Sequence, residues 1–181
     1  YEIGIATGNI ELVWEILIDL KSIFQSQLIL ELLIEIADSS GKYSEAISLM
    51  YELMETTGST DNQLINLSQL HLRIEKFDEV VDILSPIYEK GNHSLEVLRM
   101  LLIAYSSLGQ LENEINVSKT LMNEYPDIPV GYEALSFAYL QAGSNEKAVE
   151  ILLQALPKFP DEVTFPFSLA TIFYNLGDYL K

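Results

Sequence analysis

Residues 132–160 read "YEALSFAYLQAGSNEKAVEILLQALPKFP". Tyr132, Leu135 and Tyr139 recur at helical spacing and run into Gly143, which predicts one amphipathic helix and its stop. A second helical pattern follows through Ala148 and Leu152 and closes at Pro160. Leu101, Tyr105, Gly109 and Pro126 stand 34 positions before Leu135, Tyr139, Gly143 and Pro160. One helical hairpin therefore recurs at a fixed interval.

Placed on that period, the chain divides into complete units at 27–60, 61–94, 95–128 and 129–162, with a partial unit at 1–26 and a cut one at 163–181. The strongest column is Leu33, Leu67, Leu101, Leu135 and Leu169. Four residues on come Ala37, His71, Tyr105, Tyr139 and Phe173, on the same helix face. Four further come Gly41, Glu75, Gly109, Gly143 and Gly177, where glycine supplies the positive φ that ends a helix. The second helix of each hairpin carries small inward residues at Ala46, Val80 and Ala148, then Met50, Leu84 and Leu152. Asp127 and Asp161 follow the closing prolines and are expected to cap the next helix. Pro86 and Pro157 fall late in second helices and are expected to kink or shorten them.

This pattern resembles the tetratricopeptide repeat, W-x2-L-G-x2-Y, then A-x3-F, then P, in 34 residues. Unit 129–162 fits best, through Tyr132, Leu135, Ser136, Tyr139, Ala148, Leu152 and Pro160. Ser68, Ser136 and Ala170 keep the small residue of the first helix, whereas Ile34 and Leu102 replace it. Glu75 replaces a turn glycine, and Gly58 and Asn92 replace terminal prolines. Glu114 and Ser118 stand where Ala and an aromatic are usual, so the second helix of 95–128 is expected to pack less well. "GNIELVWEILIDL" resembles a second helix after a turn at Gly8, and "LGDYLK" the start of another. The resemblance implies an all-α, right-handed solenoid of antiparallel hairpins, in which first helices line a concave face. Physically, neither helix of a hairpin buries its apolar face alone, so each unit packs on the next.

Composition narrows the function. With 49% apolar residues the 181-residue chain can bury a sizeable core. No uncharged apolar run is long enough for a membrane span. The start "YEIGIATGN" lacks the basic and apolar blocks of a signal peptide, and it lacks an initiating Met, as expected of a piece of a longer protein. Ten Lys and Arg face 27 Asp and Glu, a net charge of -17 that opposes nucleic acid and anionic membranes as partners. The absence of cysteine excludes disulfides and leaves the compartment open, with the cytoplasm preferred.

Catalytic motifs are missing: the sequence has no P-loop, G-x-G-x-x-G, G-x-S-x-G or H-E-x-x-H. His71 occupies an aromatic column and is expected in the core, His93 in a turn; neither suggests zinc, and "DSSGKYSEA" lacks the oxygen ligands of a calcium loop. No enzyme activity, metal or cofactor is therefore expected. The sequons at Asn66 and Asn116 fall in predicted helices and are read as chance, and that at Asn92 falls in a turn.

What remains is a binding surface. If first helices line the groove, the residues not spent on packing are Glu31, Glu35 and Asp38, then Asn62, Asn66, Gln69 and Arg73, then Glu96, Arg99 and Ile103. Glu133, Phe137, Gln141, Phe167, Thr171 and Tyr174 follow. The partner-binding candidates are Asn62, Asn66, Gln69, Arg73, Arg99, Ile103, Glu133, Phe137, Phe167 and Tyr174. Amides offer both donors and an acceptor to an extended peptide, and aromatics anchor apolar side chains. One branch of the resembling family grips the C-terminal carboxylate of chaperones with Lys, Asn and Arg; Glu31 and Glu35 stand where that clamp wants Lys and Asn, which rejects it here. The expected function is a non-enzymatic module that holds a protein or peptide segment. The alternatives are a spacer or self-associating element stacked through its ends, or the recognition arm of an enzyme whose catalytic domain lies outside residues 1–181.

Overall fold

The computed structural model describes residues 9–24 and 26–175. These form ten helices and no strand: α1 (Ile10–Ile23), α2 (Gln27–Ser39), α3 (Tyr43–Thr57), α4 (Asp61–Arg73), α5 (Phe77–Glu89), α6 (Leu95–Ser107), α7 (Leu111–Glu124), α8 (Pro129–Gln141), α9 (Asn145–Ala155) and α10 (Thr164–Asn175). The expected turns at Gly8 and Gly177, and the helix start in "LGDYLK", lie outside the described residues. Two compact units emerge, one up to Ile83 and one from Leu84 onward.

The hairpin turn is the same device four times. Gly41, Gly109 and Gly143 take φ of 72°, 65° and 70°, and Glu75, the non-glycine of the column, takes 58°. The residue after each donates its N–H back to the aromatic-column carbonyl: Lys42 to Ala37, Lys76 to His71, Gln110 to Tyr105 and Ser144 to Tyr139, at 2.8–2.9 Å. This bond satisfies carbonyls that a helix end leaves without intrahelical partners.

Burial follows the columns. Leu33, Leu67, Leu101, Leu135 and Leu169 are all buried, as are Ala46, Val80 and Ala148. In the first unit Leu30, Leu33, Ile36, Leu49, Met50, Leu53, Leu67 and Leu70 belong to one core, with Trp14 and Ile83 packed against it. In the second unit Tyr132, Leu135, Ile151, Leu152, Phe165, Leu169 and Ile172 form another. His71 is a buried residue, as its column predicts; its Nε2 lies 3.5 Å from the Tyr51 hydroxyl. Burial holds its pKa below the ordinary 6.5, and Lys76 adds to this against the opposing pull of Glu79.

Three local expectations are corrected. Asp127 does not cap α8, whose N-cap is Ile128 without a side-chain bond, followed by Pro129 as the first helical residue. Nor does Asp161 cap α10: the neighbouring Glu162 accepts from the Thr164 N–H and hydroxyl instead. The well-built caps are Thr60, in a reciprocal capping box with Gln63, and Ser94. The second helix of 95–128 is not loosely packed either. Glu114 and Ser118 of α7 are both buried, with the Ser118 hydroxyl donating to the Glu114 carbonyl at 2.7 Å. The backbone of α8 approaches so closely that a Cβ on Gly131 would lie 2.8 Å from the Met122 nitrogen. Pro86 sits inside α5, which continues to Glu89, whereas α9 ends at Ala155, before Pro157.

Candidate functional site

Each unit carries a groove lined largely by first-helix residues. In the first unit, α2 contributes Glu31, Ile34, Glu35 and Asp38, and α4 contributes Gln63, Asn66, Gln69, Leu70 and Arg73, over a floor that includes Met50 and Leu53 of α3. Its volume is about 440 Å³. The helical stagger explains the split of roles. Leu33, Ile36 and Ala37 turn to the core, while Glu31, Glu35 and Asp38 remain exposed at spacings of four and three. Gln27 donates to Glu31 at 2.8 Å, one turn before.

The second unit's groove is larger, about 600 Å³, and mostly hydrocarbon. Arg99, Leu102, Ile103, Ser106 and Ser107 come from α6, Glu114 from α7, and Val130, Glu133, Ala134, Ser136, Phe137 and Leu140 from α8. Leu152 of α9 and Thr164, Phe165 and Ser168 of α10 complete it. Ile103 and Phe137 are large apolar side chains left 47% and 53% exposed here. Glu114 is only 2% exposed, and its Oε2 meets no donor among the described residues. Burial raises its pKa above the ordinary 4.5, opposed by the neighbouring Ser106 hydroxyl. Burial also raises Glu133, and repulsion from Glu162 adds to it.

Seven of the sequence-predicted contacts thus gather in two places: Asn66, Gln69 and Arg73 in the first groove, Arg99, Ile103, Glu133 and Phe137 in the second. The other three do not join them. Asn62 is exposed on α4 outside the lining, and Tyr174 is exposed near the end of α10. Phe167 borders a separate shallow depression with Leu140, Asn145 and Thr171. Sequence reasoning missed Glu114, Ser106 and Ser107. The available signal was Glu114 itself, a carboxyl in a column of buried small residues.

The chain's two arginines, Arg73 and Arg99, lie one in each groove. Neither side chain forms an ion pair or hydrogen bond among the described residues. Several lysines, by contrast, are engaged: Lys21 with Glu52, Lys42 over Trp14, and Lys119 and Lys147 beside Tyr139. Lys158 bonds the Tyr132 hydroxyl. His93 is tied up too, its Nδ1 lying 2.5 Å from Glu124 and its ring against Tyr88. Among the described residues no cluster of His, Asp and Glu is arranged to hold a metal, and no helix is long and apolar enough to cross a membrane.

These features define an all-α repeat protein in which polar and apolar side chains not spent on the core line grooves between first helices. The particular likeness is found among solved structures. The MamA protein superposes with a TM-score of 0.73 over 88% of this chain and 87% of its own, at 17% identity. MamA of Desulfovibrio magneticus RS-1 gives 0.71 over 90% and 93%, at 13% identity. YrrB, described as a TPR protein with an unusual peptide-binding site, gives 0.74 over 92% and 87%, at 12% identity. No family model matches the sequence, and no curated protein matches it. The chain has the fold of the tetratricopeptide-repeat solenoids.

Proposed function

We propose that the chain is an interaction module, without catalytic machinery of its own, that binds extended segments of a protein partner in these grooves. The observation that carries this reading is the pair of arginines. Among the described residues Arg73 and Arg99 form no ion pair, although they stand beside carboxylates, amides and exposed hydrocarbon at first-helix positions that the core does not use. A guanidinium offers five donors in a fixed fork, suited to peptide carbonyls and carboxylates. YrrB, of the same fold, is named for a peptide-binding site, which supports the assignment by analogy.

The test is affinity selection of random short peptides on the immobilised chain, with the double variant Asn66→Ala, Arg73→Glu and the variant Arg99→Glu in parallel. Peptides enriched by the wild type and weakened at least tenfold in one variant, with helicity unchanged, are expected; about 1.4 kcal/mol corresponds to that factor. Equal enrichment on all three would remove the grooves from the function.

A second reading, self-association, is favoured by the apolar side chains exposed on and just after α1, among them Leu12, Ile16, Ile23 and Phe24. Light scattering over a concentration series tests it, since a strictly monomeric sample would end it.

A further inference from the structure

The second groove contains a group that its fold does not ask for. In the inward column of second helices the residues are Ala46, Val80, Glu114 and Ala148, and all four are buried. Three of them are small and apolar, as close helix packing requires. Glu114 alone brings a carboxyl into that position. Oε2 meets no donor among the described residues, and this holds in either protonation state: an ionised oxygen needs a donor, and a protonated one an acceptor. Positions where a natural sequence breaks its own local rules are expected to be functional or strained sites.

The surroundings specify what would satisfy it. Glu133 adds a second carboxyl to the same lining, also shifted by burial, and neither is paired with Arg99. Leu102, Ile103, Phe137 and Leu140 line the same groove. The groove therefore combines two carboxyls that no cation pairs among the described residues, one with an oxygen lacking any partner there, with hydrocarbon walls where Ile103 and Phe137 stay open to solvent. A purely apolar side chain would cover the walls and bury the carboxyls further, at a cost. An acidic one would be repelled. A cation on an aliphatic stem meets both demands, because its methylenes lie along the walls while its donors reach the carboxyls.

Resting on the groove reading above, we infer that the groove formed by α6, α7, α8 and the start of α10 takes a lysine or arginine side chain of the bound peptide. Glu114 and Glu133 are its counter-charges, and Ile103 and Phe137 hold its stem. Arg99 remains at the lining for a carbonyl or carboxylate of the same segment.

The experiment starts from peptides enriched on the wild-type chain and replaces each of their lysines and arginines, one at a time, by norleucine, which keeps the stem and removes the charge. One replacement is expected to weaken binding by about tenfold or more on the wild type, the size seen when one member of a close charge pair is lost. On Glu114→Gln, and independently on Glu133→Gln, the same replacement is expected to cost little. The Glu133 variant keeps the test meaningful should Glu114→Gln perturb folding, because Glu133 is only half-buried. If no norleucine replacement matters on the wild type, the cation assignment is overturned while the peptide-binding reading stands. A cationic preference retained in both variants would overturn the assignment to this groove. Failure to enrich any peptide would overturn the parent reading, and the inference with it.

Discussion

The two grooves occupy the same positions of one repeat and have opposite character. A single first-helix column runs Glu35, Gln69, Ile103, Phe137 and Thr171: carboxylate and amide in the first unit, then hydrocarbon at Ile103 and Phe137 and a hydroxyl at Thr171 in the second. The neighbouring leucine column never varies, because Leu33, Leu67, Leu101, Leu135 and Leu169 are each buried between helices. Packing thus dictates one face of each first helix and leaves the adjacent face free to carry recognition chemistry. In the second unit the buried face itself departs from the pattern, since Glu114 takes up a place that Ala46, Val80 and Ala148 fill elsewhere with hydrocarbon. Tight helix contact and a carboxyl oxygen without a partner among the described residues coexist on α7.

That coexistence can be broken most forcefully at Gly131. On an exposed helix, Gly→Ala gains about 1 kcal/mol from propensity. Here a Cβ would meet the Met122 nitrogen at 2.8 Å and the Leu121 carbonyl carbon at 3.2 Å, both of them backbone. Gly131→Ala is therefore expected to reverse the sign and cost about 2 kcal/mol, as overpacked contacts do. Urea unfolding measures it, and a stabilised variant would show that α7 and α8 are not held at this distance.

Acid should drive the two units in opposite directions. His71 is held below its ordinary 6.5, chiefly by burial. As pH falls past that value the unfolded chain takes up the proton first, so the first unit loses stability that is fully present above it. Glu114 and Glu133 are held above 4.5, again chiefly by burial. Their contribution runs the other way: it is fully present below 4.5 and is lost as pH rises through the raised values. Trp14, the chain's single tryptophan, reports the first unit by fluorescence. Urea midpoints of wild type and His71→Gln are expected to diverge in the wild type's favour toward neutral pH. For Glu114→Gln, followed by helical circular dichroism, the wild type is expected to gain on the variant toward acid. The same sign in both comparisons would contradict the burial of one of these groups.

The contrast also explains what was legible in the sequence. The leucine column is buried in every unit and repeats without fail, so the hairpins, the turns and the leucine core are legible from spacing alone. Groove residues could be read halfway, because phasing assigns a face but not a depth. It points alike to Phe137 and Arg99, which line a groove, and to Asn62, which lies beyond one. Helix caps were misread at Asp127 and Asp161. Residue type there fits a cap, but Pro129 starts α8 one residue after Ile128, and Glu162 is nearer to Thr164 in the chain. Glu114 is visible in the sequence as a departure from the repeat, which predicts looser packing there. In the fold α7 packs closely against α8, and Glu114 is buried at the groove lining.

The smallest effect separates the turns rather than the grooves. Gly41, Gly109 and Gly143 adopt the left-handed conformation at little cost, whereas Glu75 adopts it at φ 58° against the crowding of its own Cβ. Its backbone N–H nonetheless bonds the Leu72 carbonyl at 3.1 Å, and the following N–H reaches His71 at 2.9 Å, as in the glycine turns. The motif therefore forms despite the side chain, and the strain remains in the folded state. Glu75→Gly removes that strain but makes the unfolded chain more flexible, so the two effects partly cancel. A net gain of about 0.5–1 kcal/mol is expected, since the left-handed penalty of about 1–2 kcal/mol exceeds the added chain entropy. The corresponding Gly109→Glu change in the second unit should cost a similar amount. Paired urea titrations of the two variants would show equal and opposite shifts; a loss of stability in Glu75→Gly would mean that the Glu75 side chain stabilises its turn by more than its backbone strain costs.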